Sequence, residues 1–366
     1  MPEAVESATE AHVAVGHRIG TAIAALIFAA LSTTVTAGPA AADGGDPVIT
    51  SGSLLGDPRA GDGSYIERAT VKDDRNIRLY VHSAAMDATF PVDVQRPADA
   101  SVPRPVLYLL NGAGGGVDSA TWDKRAPDAL RFLADKDVNV VQVIGGAWSY
   151  YTDWRAPDPV LGVNKWKTFF TEELPPLIDG SLGTNGLNAI AGLSTSGTSV
   201  LQLPIAKPGL YRSAAAYSGC AQISDPTGYT FVNLATGLWG GGNTENMYGP
   251  QNDPMWAEND PYVHADQLRG VNLFVSSGSG LPGQWDGLDG PYTLPGIGGQ
   301  INQVTIGGVI EAAVNYCSHN LRAKLDSLGI PATYDFPPTG THSWGYWHDA
   351  LIASWPVLAA GLELPA

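Results

Sequence analysis

The hydrophobic pattern of this chain changes period repeatedly. Residues 77–86, "IRLYVHSAAM", alternate apolar and polar positions, as a strand with one wet face does. "RPVLYLLNG" (104–112) and "VNVVQVIGG" (138–146) are instead continuous apolar runs that stop at Asn-Gly or Gly-Gly. "LNAIAGLS" (187–194), "SAAAYSG" (213–219), "VNLFVSSGS" (271–279) and the short "ATYDFPP" (332–338) add four more strand signals. Between them lie segments with helical spacing: 128–137, 165–178, 198–207, 303–329 and 346–362. Pro175-Pro176 predicts a kink or an end in the second of these, and Pro204 is tolerated in the third. Buried strands alternating with helices predict an α/β fold with a mostly parallel central sheet covered on both faces.

Two stretches break the alternation, about 221–269 and 279–300. Both are rich in Gly, Pro, Asn and Trp. They read as loop insertions over the C-terminal edge of the sheet, where sites in such folds lie. No internal repeat and no second domain is apparent. The division is residues 1–42 as an export signal, 43–65 as a Gly/Asp/Ser-rich linker and 66–366 as the catalytic domain. The signal reading rests on His17-Arg18 before the apolar run Ile19–Leu31, and on Ala40-Ala41-Ala42 before Asp43. That run is shorter than the roughly 20 residues a membrane span needs.

Composition narrows the function. The net charge of −16 argues against a nucleic-acid partner, which needs clustered Lys and Arg. Cys220 and Cys317 are the two cysteines, and in an exported chain they predict a disulfide rather than two buried thiols. No close His/Cys/Asp cluster has metal-ligand spacing, and no cofactor is implied.

Ser194 carries the candidate chemistry. In "AIAGLSTSGTSVLQ" it follows a strand and precedes a helix. A serine on such a turn exposes its Oγ at the top of the sheet, beside the next backbone N–H. The pattern G-x-S-x-G is completed here by Ser196 rather than glycine, and a plain helix N-cap serine is the rival reading. The nucleophile needs a base. His342, in "PPTGTHSWGYW" after the last predicted strand, fits better than His264, His319 or His348. For the acid, spacing favours Asp286 or Asp289 in the loop after "VNLFVSS", with Glu311 as rival. The Gly-rich "YLLNGAGGG" (108–116) offers the Ala113 N–H as one oxyanion donor, with Thr195 as the other.

From about residue 75 to 355 the chain resembles the secreted mycolyltransferases of mycolic-acid bacteria, an α/β-hydrolase branch. "SYYTDW" (149–154) is similar to their F-Y-T-D-W, and "KWKTFFTEELPPLI" to their K-W-E-T-F-L-x-x-E-x-P helix. "GLSTSGTSVL" resembles their nucleophile elbow, and "FPPTGTHSWGYW" their F-P-P-x-G-T-H-S-W-x-Y-W. "GGGNTENMYGP" and "SSGSGLPG" look most like the corynebacterial-type members. The resemblance implies an α/β-hydrolase fold and a Ser194 acyl-enzyme. It would pass a mycoloyl group from trehalose monomycolate to a sugar hydroxyl, on trehalose monomycolate or arabinogalactan, at the cell envelope. It implies Glu311 as the acid, with Asp286 second. A secreted serine carboxylesterase with the same triad is the alternative. Where the family reads L-D-G-L-R-A, this chain has Asn111 and no Arg close behind. Asn111, which can donate and accept, is a candidate substrate contact together with Trp122 and Trp344.

Overall fold

The computed structural model describes residues 60–366 and the backbone strand Val48–Ile49. The proposed signal, 1–42, lies outside the described residues, as does most of 43–65. Ten strands form one sheet in the order β1-β2-β3-β4-β6-β5-β7-β8-β9-β10. They are β1 (Val48–Ile49), β2 (Tyr65–Val71), β3 (Asn76–Ser83), β4 (Ala88–Gln95), β5 (Val106–Leu110), β6 (Asn139–Val143), β7 (Asn188–Leu193), β8 (Tyr211–Tyr217), β9 (Asn272–Ser276) and β10 (Thr333–Asp335). From β1 through β4 to β6 every pairing is antiparallel. From β6 onward every pairing is parallel. This is an α/β-hydrolase fold.

The continuous apolar runs have a simple cause. Along β5, Val106, Tyr108 and Leu110 enter one core, while Leu107 and Leu109 enter the other. The first core is closed by Phe169, Phe170 and Leu174, by Val200 and Leu201, and by Leu321 and Leu325. The second is closed by Leu133 of the helix Pro127–Ala134 and by Leu351, Trp355 and Leu358 of the helix Trp344–Leu362. With both faces covered, no polar position is left to alternate.

Three local readings change. The helix beginning at Trp166 does not end at Pro175-Pro176 but runs on to Leu182. A π-helical stretch, Phe169–Glu173, precedes the prolines, and its wider register accommodates rings that clash with an α-helical carbonyl. Strands β2 and β4 gave no clear signal. In β2 the register shifts between Ile66 and Arg68, which breaks the alternation. In β4, Pro91 stands where pairing to the β6 side ends: its carbonyl accepts from Ile144 N at 2.9 Å, and it has no N–H to return.

Candidate active site

The parallel strands deliver the site. Ser194 sits between β7 and the helix Thr195–Ala206, with φ 58° and ψ −125°. A serine held there stores strain of about 1–3 kcal/mol, which the surrounding structure must sustain. Its N–H donates to the Tyr217 carbonyl at 2.9 Å, and its carbonyl accepts from Gly197 N at 3.0 Å. The substitution of Ser196 for the usual glycine is absorbed locally, because its Oγ lies 2.9 Å from both the N and the O of Leu193. The close approach falls one residue later. A Cβ on Gly197 would lie 2.8 Å from the Gly219 Cα, so glycine is what lets this helix seat against the end of β8.

His342 occupies the loop between β10 and the closing helix. Its Nε2 is 2.8 Å from the Ser194 Oγ, and its Nδ1 is 2.7 Å from Glu311 Oε2. Glu311 lies on the helix Gly308–Ser327 and is 1% exposed. Its other oxygen, Oε1, accepts from Ser218 Oγ and from Gly278 N, each at 2.7 Å. Trp347 Nε1 donates to Ser218 Oγ at 3.0 Å, and the Trp347 ring stands edge-on to the His342 ring at 4.9 Å. The Glu311 carboxylate is therefore surrounded by donors. Ser218 and Gly278 follow the C-terminal ends of β8 and β9, as Ser194 follows β7. Sequence reasoning passed over both, although Ser218 stands in the "YSG" that closes a predicted strand.

Asp286 is directed elsewhere. Its oxygens accept from Gly283 N at 2.8 Å, Gln303 Nε2 at 2.9 Å, Thr341 Oγ1 at 2.6 Å and the Tyr346 hydroxyl at 2.6 Å. The hydrogen-bonding and charge of Asp286, together with burial as the first cause, push the Tyr346 phenol up. Asp289 is an exposed turn residue at φ 58°.

A cavity of about 260 Å³ opens at Ser194. Its walls include Ala113, Thr195, Tyr150, Phe231, Leu234 and Trp239, and none of its lining residues is Asp, Glu, Lys or Arg. Ala113 and Thr195, the two oxyanion candidates, both border it beside Ser194, and among the described residues neither N–H is engaged by another backbone group. Phe231, Leu234 and Trp239 come from the 221–269 insertion, through the helix Pro226–Val232 and the π-helical turn Asn233–Trp239. Cys220 is part of the same wall and is disulfide-bonded to Cys317, six residues beyond Glu311 on its helix.

The three expected substrate contacts do not line this cavity. Asn111 is fully buried, and its Nδ2 donates to the Val143 carbonyl at 3.2 Å. Trp122 is fully buried as well, with Nε1 donating to the Leu110 carbonyl at 3.0 Å and its ring against Tyr217 and Trp344. Trp344 packs on Trp122 and Trp347. Asn111 follows the end of β5, Trp122 begins the short helix Trp122–Arg125 and Trp344 begins the closing helix; Trp122 lies in the second core and Trp344 packs against it. Of the other histidines, His319 packs at a tilt against Phe336 and His348 bonds Asp349. Among the described residues no group of three or more His, Cys, Asp or Glu side chains is arranged to hold a metal ion.

Residues 83–358 match the family described as "Putative esterase". Over 293 residues the chain is 32% identical to the diacylglycerol acyltransferase/mycolyltransferase Ag85B of Mycobacterium avium, covering 78% of this chain and 82% of that protein. The crystal structure of Mycobacterium tuberculosis MPT51 (FbpC1) superposes with a TM-score of 0.63 at 27% identity, covering 78% of this chain and 97% of the other. An S-formylglutathione hydrolase from Agrobacterium tumefaciens shares the fold at 15% identity, with a TM-score of 0.57 over 81% of this chain and 99% of its own.

Proposed function

This chain belongs to the esterase family, among the relatives of the Ag85 mycolyltransferases, and we propose that it is an exported acyltransferase that moves a mycoloyl group between sugar hydroxyls. The donor is trehalose monomycolate, and the acceptor a second trehalose monomycolate or arabinogalactan. The observation that carries the reading is the hydrogen-bonded chain from Ser194 through His342 to Glu311 at the mouth of an apolar cavity.

The chemistry runs in two halves. Ser194 Oγ attacks the ester carbonyl of the donor while its proton passes to His342 Nε2. The carbonyl oxygen becomes an oxyanion, facing the N–H groups of Ala113 and Thr195. The intermediate collapses, the C–O bond to the sugar breaks, and the imidazolium returns its proton to the leaving sugar oxygen. An acyl-Ser194 ester remains, its chain in the apolar cavity. In the second half a sugar hydroxyl gives its proton to His342 and attacks the acyl carbon, and Ser194 leaves with the proton restored. Glu311 holds His342 Nδ1–H throughout and stabilises the charged ring. The wall built by Phe231, Leu234 and Trp239 suits a hydrocarbon chain, since it removes apolar surface from water without stranding a polar group.

The disulfide supports an oxidising, extracytoplasmic setting. Among the described residues no helix is long and apolar enough to cross a membrane. The test incubates residues 43–366, wild type and Ser194→Ala, with trehalose monomycolate and resolves products by thin-layer chromatography and mass spectrometry. Trehalose plus dimycolate from the wild type alone is expected. Free mycolate with no transfer product, with arabinan acceptor also supplied, would overturn transfer in favour of ester hydrolysis.

A further inference from the structure

The two oxyanion candidates are not held equally. Thr195 opens the helix Thr195–Ala206, which fixes its N–H. Ala113 stands between Gly112 and the run Gly114-Gly115-Gly116, so its own chain lends it little stiffness. A bond from another segment supplies what the loop lacks. The Ala113 carbonyl accepts from the Trp148 N–H at 2.6 Å. The carbonyl and the N–H of Ala113 lie in rigid peptide planes joined at one Cα, so clamping the first restricts the second.

Trp148, just before the stretch 149–154, is itself under constraint. Its φ is 60°, a left-handed conformation that a bulky residue rarely adopts. Tyr150 and Tyr151 follow at 55° and 46°. Such residues persist only where the surroundings over-determine them, and they gather at functional sites. For Trp148 the surroundings are the 221–269 insertion. Its carbonyl accepts from Thr236 Oγ1 at 2.8 Å. Its side chain lies against Gly240, where an added Cβ would be 2.5 Å from both the Cβ and the Cγ of Trp148. Thr236 is fully buried in the π-helical turn Asn233–Trp239, and Leu234, Ala235 and Trp239 of that turn line the catalytic cavity. The N–H of Trp148 therefore serves the oxyanion loop, while its carbonyl and side chain serve the apolar wall.

We propose that Trp148 is a positioning residue that couples the apolar wall to the oxyanion donor. An acyl chain seated on the wall steadies the turn Asn233–Trp239. The turn steadies Trp148 through Thr236 and Gly240, and Trp148 keeps the Ala113 N–H aimed at the developing oxyanion. Binding energy from the far end of the acyl group is thereby spent on the transition state, so that long acyl esters gain in kcat and not only in KM. This role rests on the Ser194 ester chemistry proposed above and not on the identity of the acceptor.

The experiment is steady-state hydrolysis of p-nitrophenyl acetate and p-nitrophenyl decanoate, with kcat and KM resolved for wild type, Thr236→Val and Trp148→Gly. Thr236 does not line the cavity, so its hydroxyl can be removed without taking a contact from the chain, and it keeps the test open if Trp148→Gly folds poorly. Wild-type kcat is expected to be at least about tenfold higher for the decanoate. Each variant should lose most of that ratio, while the ratio of the two KM values stays within about threefold of wild type. A wild-type preference confined to KM, an unchanged kcat ratio in both variants, or a fall in kcat equal for both esters would each overturn the coupling and leave the Ser194 chemistry standing. A wild type inert to both esters would strike down the two together.

Discussion

Two buried carboxylates flank His342, and they are built for different tasks. Glu311 and Asp286 are almost equally enclosed, at 1% and 4% exposure. Glu311 spends one oxygen on the imidazole and the other on Ser218 and Gly278. Asp286 meets only neutral donors, from Gly283, Gln303, Thr341 and Tyr346. One of those donors, Thr341, is the residue before His342. Asp286 therefore fixes the loop that carries the histidine, while Glu311 faces the ring itself. Burial and proximity do not separate a charge relay from a brace. The identity of the partner does, because only a carboxylate bonded to the ring nitrogen stabilises the charge that develops there.

The comparison can be broken most sharply at Glu311. Glu311→Gln should lower kcat by about 10⁴-fold with the fold retained, since an amide neither stabilises the imidazolium nor fixes its tautomer. Steady-state ester hydrolysis with a circular dichroism control reads this. A loss of less than tenfold would remove Glu311 from the relay.

The next largest effect concerns the helix that holds Glu311. Its tie to the cavity wall is the Cys220–Cys317 bridge, which closes a loop with a sequence separation of 97. Replacing both cysteines by serine should cost about 4.7 kcal/mol in the chain-entropy model, read as a lower urea midpoint with a steeper slope, since the unbridged chain unfolds to a more open state. An unshifted midpoint would show that the helix is held by packing alone.

Asp286→Asn sharpens the comparison from the other side. An amide in this ring of donors leaves at least one donor facing another, so stability should fall by about 1–3 kcal/mol. Ester hydrolysis well below the melting temperature should stay close to wild type. A collapse of rate as deep as that of Glu311→Gln would mean that the brace and the relay are one unit.

The smallest effect comes from a carboxylate in the antiparallel half of the sheet. Burial raises the Asp93 carboxyl, but hydrogen bonds from Arg78 and Lys72 outweigh it and hold it below the usual range. A depressed folded value contributes stability above the unfolded pKa of about 3.9, lost as pH falls through the folded value. The urea midpoint of the wild type should therefore drop below about pH 4 more steeply than that of Asp93→Asn. Parallel curves would show that the ion pairs of Asp93 contribute little to stability.

How much of this was legible in the sequence depended on how local each signal was. The strand-turn-helix around Ser194 and the loop around His342 are contiguous stretches, and each could be picked out in place as a candidate. The two-sided burial of β5 to β9 was visible as unbroken apolar runs. Strands β2 and β4 were hidden by a register shift and a proline, whose effects depend on the neighbouring strand. Spacing alone ranked Asp286 and Asp289 ahead of Glu311, and only resemblance to a family reversed the order. A residue on one helix face meets a loop 31 positions away through the tertiary fold, which no local period encodes. The same holds for the cavity. Trp122 and Trp344 look like substrate contacts in sequence but pack against each other, while Phe231, Leu234 and Trp239 come from an insertion without a clear period.

The most direct test is the rate at which a fluorophosphonate labels Ser194, located by peptide mass spectrometry, in wild type, Glu311→Gln and Asp286→Asn. The account predicts an adduct on Ser194 that forms at near wild-type rate in Asp286→Asn and at least a hundredfold more slowly in Glu311→Gln. An adduct on another residue, or slow labelling in Asp286→Asn with fast labelling in Glu311→Gln, would contradict it.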